Sequence, residues 1–346
     1  MKIKILISAI SILLISIYAN TAFAFNSKKN MMSEQDYSFM QQYKVASPLN
    51  LVISTTGGNI SAVGQEGNTV EVSFIVALKG KVLKMNFDQL KDYAEVEIIN
   101  DNSKLEINVK KILDKKVSIG FSIKIPINTS VNFNTSGGNI ALNALTGKQA
   151  IYTSGGNIDL DKLTGNVTAK TSGGNISISN SKADFDANTS GGNISLEKID
   201  GKLDVSTSGG NINAENITNS LVAKTSGGNI NLSKIKGLID VKTSGGEILL
   251  NDISGTASAK TSGGDIKANI LSLTGKLELR TSGGTINVTL PSAAGLDLDL
   301  SADNVNLPPS DFVGSSTKER VIGKLNGGGI TVLLATSGGN IVLNYK

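Results

Sequence analysis

The sequence predicts an all-β fold, a β-solenoid of the parallel β-helix kind, with 18-residue coils and divergent capping segments at both ends. Three observations carry that expectation. The tetrapeptide Thr-Ser-Gly-Gly recurs at a fixed interval. Apolar and polar residues alternate within each interval. A second break, often Gly, divides each interval in two.

The recurrence comes first. Thr-Ser-Gly-Gly begins at Thr135, Thr153, Thr171, Thr189, Thr207, Thr225, Thr243 and Thr261, each 18 residues after the last. The next copy, at Thr281, follows after 20, so one repeat carries two extra residues. A late copy begins at Thr336, and a variant, Thr55-Thr56-Gly57-Gly58-Asn59-Ile60, lies near the start.

With Thr as position one, position six is Ile throughout: Ile140, Ile158, Ile176, Ile194, Ile212, Ile230, Ile248, Ile266 and Ile286. Positions eight and eleven are mostly apolar, as in Leu196 and Ile199. So are positions fifteen and seventeen, as in Leu203 and Val205. Polar residues such as Asp159, Asp204 and Asp240 sit between apolar ones, so both arms of a repeat read as strands. Gly-Gly separates the arms. Its tolerance of positive φ suits a sharp corner. Gly147, Gly165, Gly201, Gly237 and Gly255 mark the second corner.

One repeat buries too few side chains to offset the ordering of its own backbone, so repeats must stack and share a core. Stacking puts Asn139, Asn157, Asn175, Asn193, Asn211 and Asn229 in one column. Their amides are placed to bond along it. The column is read mainly as corner stabilisation. Its alternative is a polar stripe that binds sugar or cation, which makes these six asparagines the candidate binding residues. Glu247, Asp265 and Thr285 continue it.

The flanks complete the domain plan. Residues 1–24 read as a signal peptide: Lys2 and Lys4, an apolar run from Ile5 to Ile17, then Ala22-Phe23-Ala24. Residues 25–48 read as a loose polar leader, 49–134 as an N-terminal β capping region, 135–286 as the regular array and 287–346 as a C-terminal cap. Strands are expected at Leu49–Thr55, Thr69–Ala77, Ala94–Ile99, Lys104–Lys110 and Val117–Ile125. Asn86–Asp92 is read as a short helix or turn, and Pro308-Pro309 as a loop. No transmembrane segment is expected once the signal peptide is removed.

Composition narrows function. Aromatics are 4% with no Trp, against 39% hydrophobic residues, which suits a narrow aliphatic core. The chain has no Cys and no His, which excludes thiol nucleophiles, disulfides, Ser-His-Asp triads and the usual zinc sites. No cofactor is expected. The formal net charge is +4, of which Lys2 and Lys4 supply two units, too little to argue for nucleic acid. Neither Gly147-Lys148 nor Gly275-Lys276 completes a phosphate loop.

The pattern resembles a large bacterial family of β-strand-repeat cell-envelope proteins, labelled adhesins by analogy or domains of unknown function. Leu51–Ile60 carries the resemblance, with Ile123-Lys124-Ile125-Pro126 leading through Ser130-Val131 into Thr135–Ile140, and the long run of Ser-Gly-Gly-(Asn/Asp)-Ile repeats. It covers about residues 45–346. It implies the fold and brings no catalytic residues.

The expected function is therefore non-enzymatic: an exported protein of the periplasm, outer surface or medium, presenting a rigid repeat scaffold. The partner classes are glycan, peptidoglycan or another surface protein. One alternative is a carbohydrate-active enzyme, a lyase or glycosidase. Its acids would come from Asp159 and Asp161, from Asp204 and Asp240, or from Asp303 and Asp311 in the irregular segment Ala302–Lys318. Glu247 and Asp265 are a weaker cation pair. A second alternative is ice binding through a Thr array. The parity of position one turns Thr inward, and lysines at position eighteen interrupt a flat face.

Overall fold

The alternation of side chains becomes alternation of burial. In the strand Ile194–Ser206, Ile194, Leu196, Ile199, Leu203 and Val205 are buried, while Ser195, Glu197 and Asp204 face solvent. The step from Leu196 to Ile199 is three residues, so one residue must turn the chain. Lys198 does so, at φ +54°. The same position ten is left-handed in Ala144, Lys162, Asn180, Asn216, Lys234 and Asp252. Each such non-Gly residue costs roughly 1–2 kcal/mol. That strain holds both arms of a repeat against one core.

The structure is a computed structural model that describes residues 6–7, 37–112, 116–307 and 311–346. Apart from Leu6–Ile7, the signal peptide expected over residues 1–24 lies outside the described residues. So do residues 25–36 of the leader and the Pro308-Pro309 loop. The fold is all-β with many parallel strands, solenoid-like, and divides into two compact units at Asn166/Val167.

In the first unit, Leu49–Thr55 lies between Lys104–Lys111 and Thr129–Thr135, parallel to both. Thr129–Thr135 then pairs in parallel with Thr146–Thr153. One wall therefore aligns Ile107, Ile53, Phe133 and Ile151. The other wall aligns Phe121, Ile60, Ile140 and Ile158. The early Thr55–Ile60 variant is thus a full member of the stack. The outer side is closed by antiparallel pairs. Thr69–Leu78 runs against Val117–Pro126, and Ala94–Asn100 against Lys104–Lys111.

Two expectations change here. The leader was expected to be loose through residue 48, yet Phe39–Lys44 is a strand antiparallel to Thr69–Phe74. Its cause is aromatic. The Phe39 ring stacks on Phe74 at 4.6 Å, and Phe74 meets Phe121 edge-on at 5.2 Å. The short helix is Phe87–Leu90, held by a reciprocal capping box between Asn86 and Gln89.

In the second unit, strands Ile176–Asn188, Ile194–Ser206, Ile212–Lys224, Ile230–Lys242 and Ile248–Lys260 stack in parallel, each residue over its equivalent 18 positions away. The two extra residues enter between Leu273 and Leu277, which pair with Gly255 and Ala257. With a further shift at Ile253, which pairs with Ile270, they make this stretch irregular, and regular pairing resumes from Ala257 with Leu277 to Lys260 with Arg280. Ile330–Thr336 then pairs with Leu277–Thr281, and Asn340–Tyr345 with Ile286–Leu290. The late Thr336 copy therefore seats on the Thr281 repeat and skips the segment between. That segment returns outside it: Leu296–Ser301 pairs with Ile330–Thr336, and the hairpin Phe312–Ser316 with Arg320–Leu325 covers Leu296–Ser301 through Arg320–Leu325.

The corners overturn one reason given from sequence. Gly137, Gly138 and their equivalents do not sit at positive φ; in this tetrapeptide position only Gly58 does. The fourth position is Gly because of close approach. A Cβ on Gly192 would lie 1.9 Å from the Gly174 carbonyl oxygen, and one on Gly264 would lie 2.2 Å from that of Gly246. At the second corner the original reason holds for Gly147, Gly165, Gly237 and Gly255, with φ between 117° and 138°.

Candidate functional site

The threonines are corner clamps. Thr207 Oγ1 donates to the Gly192 carbonyl at 2.8 Å and accepts from its own Gly210 N–H at 3.2 Å. Thr189, Thr243 and Thr261 repeat the arrangement. All are buried, so no Thr array faces outward.

The asparagine column is bonded differently from the side-chain ladder expected. At Asn139, Asn175, Asn193, Asn211 and Asn229 the Oδ1 accepts the backbone N–H of the next repeat. Asn175 holds Asn193, Asn193 holds Asn211, and Asn211 holds Asn229, all at 2.7–2.8 Å. Asn139 holds Asn157 at 2.8 Å, and Asn229 holds Glu247 at 2.8 Å. Strands diverge at a corner, and a side-chain carbonyl fills the gap in the ladder. A true amide-to-amide bond occurs elsewhere, from Asn231 Nδ2 to Asn213 Oδ1 at 2.9 Å.

The candidate acids do not converge. Asp159 is half-buried, and desolvation pushes its carboxyl above the ordinary range. Asp161 accepts from Asn143 Nδ2 at 2.8 Å. Asp204 and Asp240 are separated by the strand that carries Val222. Two strand spacings are about 9.6 Å, too wide for the roughly 5 Å pair of a retaining glycosidase and at the upper edge of the roughly 6.5–9.5 Å pair of an inverting one. Asp303 is tied through its backbone to Gly339, and Asp311 through its backbone to Asn326. Among the described residues no group of three or more Asp or Glu is placed to hold a metal.

The lysines that the sequence places at position eighteen stand together as a charged column. Lys224 pairs with Lys242, Lys242 with Lys260, and Lys260 with Arg280, strand by strand. Position eighteen faces out, so four cations stand in one column. Like charges directly opposite each other destabilise a sheet, by up to about 1 kcal/mol per pair in water. The lower part is partly compensated. Glu278 accepts from Arg280 Nε at 2.6 Å, Lys276 Nζ at 3.0 Å and Lys260 Nζ at 3.2 Å. Lys224 and Lys242 have no ion-pair partner among the described residues. The signal was legible: the lysines recur at the same interval as the isoleucines.

Bonding to Arg280, with smaller help from Lys276 and Lys260, holds the Glu278 carboxyl down at about 2. An unfolded Glu titrates near 4.5. The unfolded chain therefore takes up this proton first as pH falls, and the stabilisation present above about 4.5 is lost toward 2. Glu278→Gln is expected to lower the unfolding midpoint at neutral pH. It should also flatten the fall in stability between those two pH values, measured by denaturant unfolding across the series. An unchanged acid limb would remove Glu278 from the account.

On the other wall, Ser195, Glu197, Asn213, Glu215, Asn231, Ser233, Leu249 and Asn251 line an open groove. Leu249 is 43% exposed within it. It is broad and open; Glu197 and Glu215 stand on neighbouring strands within it, ion-paired to Lys198 at 2.8 Å and Lys234 at 2.9 Å.

The pattern of the family described as Toastrack DUF4097 matches residues 49–237 and again 233–344. The chain belongs to the Toastrack DUF4097 family. Two solved structures resemble this Toastrack chain. One, a candidate cell adhesion protein from Clostridium sporogenes, is 12% identical, covering 89% of this chain and 99% of its own, with a TM-score of 0.18. The other, a candidate adhesin from Bacteroides fragilis, is 18% identical, covering 72% and 96%, with a TM-score of 0.32. No curated protein matches the Toastrack chain.

Proposed function

We propose that this chain is an exported, non-enzymatic scaffold of the bacterial cell envelope, a β-solenoid of 18-residue coils that presents repeated side chains for binding. In this reading residues 1–24 are removed on export, 49–134 and 287–346 cap the array, and 135–286 carry the binding faces. The partner is a glycan, peptidoglycan or another surface protein, met in the periplasm, at the outer surface or in the medium.

One observation supports this above the others: outward side chains stand in columns locked in register by parallel pairing. Such a surface repeats one contact at a fixed step, which favours extended partners and multivalent binding. The groove glutamates are neutralised by Lys198 and Lys234, which favours binding over acid–base hydrolysis there. The asparagine column is assigned to the corners, because its carbonyl oxygens serve the backbone.

The test is retention of the secreted form on cell-wall, peptidoglycan and glycan fractions, with cell fractionation alongside. Retention above a variant with scrambled outward residues is expected. Retention equal to that variant, or release of reducing or unsaturated ends from a polysaccharide panel, would sink the reading.

A further inference from the structure

We propose that Lys224, Lys242, Lys260 and Arg280 form a track for an extended acidic polysaccharide, one carboxylate-bearing sugar per repeat. This deepens the scaffold reading and rests on it.

The column lies on four consecutive strands, and Lys260 still pairs with Arg280 beyond the irregular stretch that carries the two extra residues. With Lys276 beside it there are five cations, and the carboxylates on the same strip are Asp240 and Glu278. The excess of three positive charges is local, although the whole chain carries only +4. Two cations, Lys224 and Lys242, have no intramolecular partner among the described residues. A column of like charge that destabilises its own sheet invites a counter-charge from outside.

Geometry selects the kind of polyanion. Neighbouring strands stand about 4.8 Å apart, close to the length of one sugar unit in an extended polysaccharide. A polyuronate therefore repeats its carboxylates on the same length scale as the cations. The ground beside the track is flat. Ser226, Ser244 and Ser262 lie next along the chain, exposed, and offer hydroxyls for sugar oxygens. Then come Gly227 and Gly245, which have no side chain to lift the polymer away. No aromatic stands in the column for bases to stack upon, which disfavours a single-stranded nucleic acid.

The test uses the full secreted chain and polygalacturonate, with neutral dextran and poly-L-glutamate as comparison polymers. Saturable binding to polygalacturonate at low salt is expected, and none to dextran. The triple variant Lys224→Ser, Lys242→Ser, Lys260→Ser places Ser where Ser206 already stands in the same column. Exposed ion pairs are individually weak, so losing three is expected to weaken binding about tenfold. A control with equal charge loss is Lys198→Asn, Lys234→Asn, Lys236→Thr. These residues occur naturally at Asn216 and Thr218 in the same columns. The control is expected to bind within about twofold of the parent. Unfolding midpoints of both variants check that each folds.

Equal weakening by both triples, or poly-L-glutamate binding as tightly as polygalacturonate, overturns the track. If envelope fractions retain parent and column variant equally, the track fails and the scaffold stands. If they retain neither, the scaffold reading fails first.

Discussion

Replacing Gly228 by Ala is expected to lower stability by at least about 3 kcal/mol, while Gly227→Ala, one residue earlier, changes it by less than about 0.5 kcal/mol. The two glycines share a corner and neither sits at positive φ, so backbone freedom does not separate them. Space does. A Cβ on Gly228 would lie 1.9 Å from the Gly210 carbonyl oxygen and 2.5 Å from its carbon. A Cβ on Gly227 meets nothing nearer than 3.8 Å. The atoms in the way are backbone of the neighbouring repeat and cannot swing aside as a side chain would. Relief requires parting two strands and losing the bonds between them. Urea unfolding of the two variants checks the difference. Equal, small effects would mean that the repeats do not approach this closely.

That contrast shows where the sequence was legible. The isoleucine column could be read directly, because a strand has a period of two and a buried position tolerates few residue types. Ile212, Ile230 and Ile248 stand over one another as expected. The inward turn of Thr followed from parity alone. The reason for Gly-Gly did not follow, because a glycine chosen for its backbone angles and one chosen for close approach look alike in a sequence. Position ten was missed for a related reason. Lys198, Lys234 and Ala144 are left-handed with no side-chain preference to announce it; only Asn180, Asn216 and Asp252 hint at it. The strand Phe39–Lys44 was hidden by its polar residues. Its place depends on Phe39 meeting Phe74, which no local window contains. At the candidate site the charges were visible but counted as a sum. Net charge averages over both walls, whereas the recurrence of Lys224, Lys242 and Lys260 at 18-residue steps marks the column, and the register adds Arg280 to it.

Thr225→Val is expected to cost about 2 kcal/mol, and more than Thr225→Ser, although valine keeps the shape and adds apolar surface. Burial alone predicts the opposite order. Thr225 is 6% exposed, and Val would be neutral or stabilising if only its methyl groups mattered. Its hydroxyl, however, donates to the Gly210 carbonyl at 2.9 Å and accepts from the Gly228 N–H at 3.3 Å. Valine leaves both groups without that partner inside the corner, at about 1–3 kcal/mol for a buried unsatisfied group. Serine keeps the two bonds and loses one methyl, about 1 kcal/mol. The Gly210 oxygen that accepts this hydroxyl is also the atom that excludes a Cβ at Gly228. The two substitutions therefore act on one contact. Once Gly228→Ala has pushed the Gly210 carbonyl away, Thr225 has little left to hold, so the double variant should lose less than the sum of the singles. A strictly additive double variant, measured by the same unfolding midpoints, would separate the clamp from the close approach and leave the conserved spacing of Thr and Gly in this chain's repeats without a shared cause.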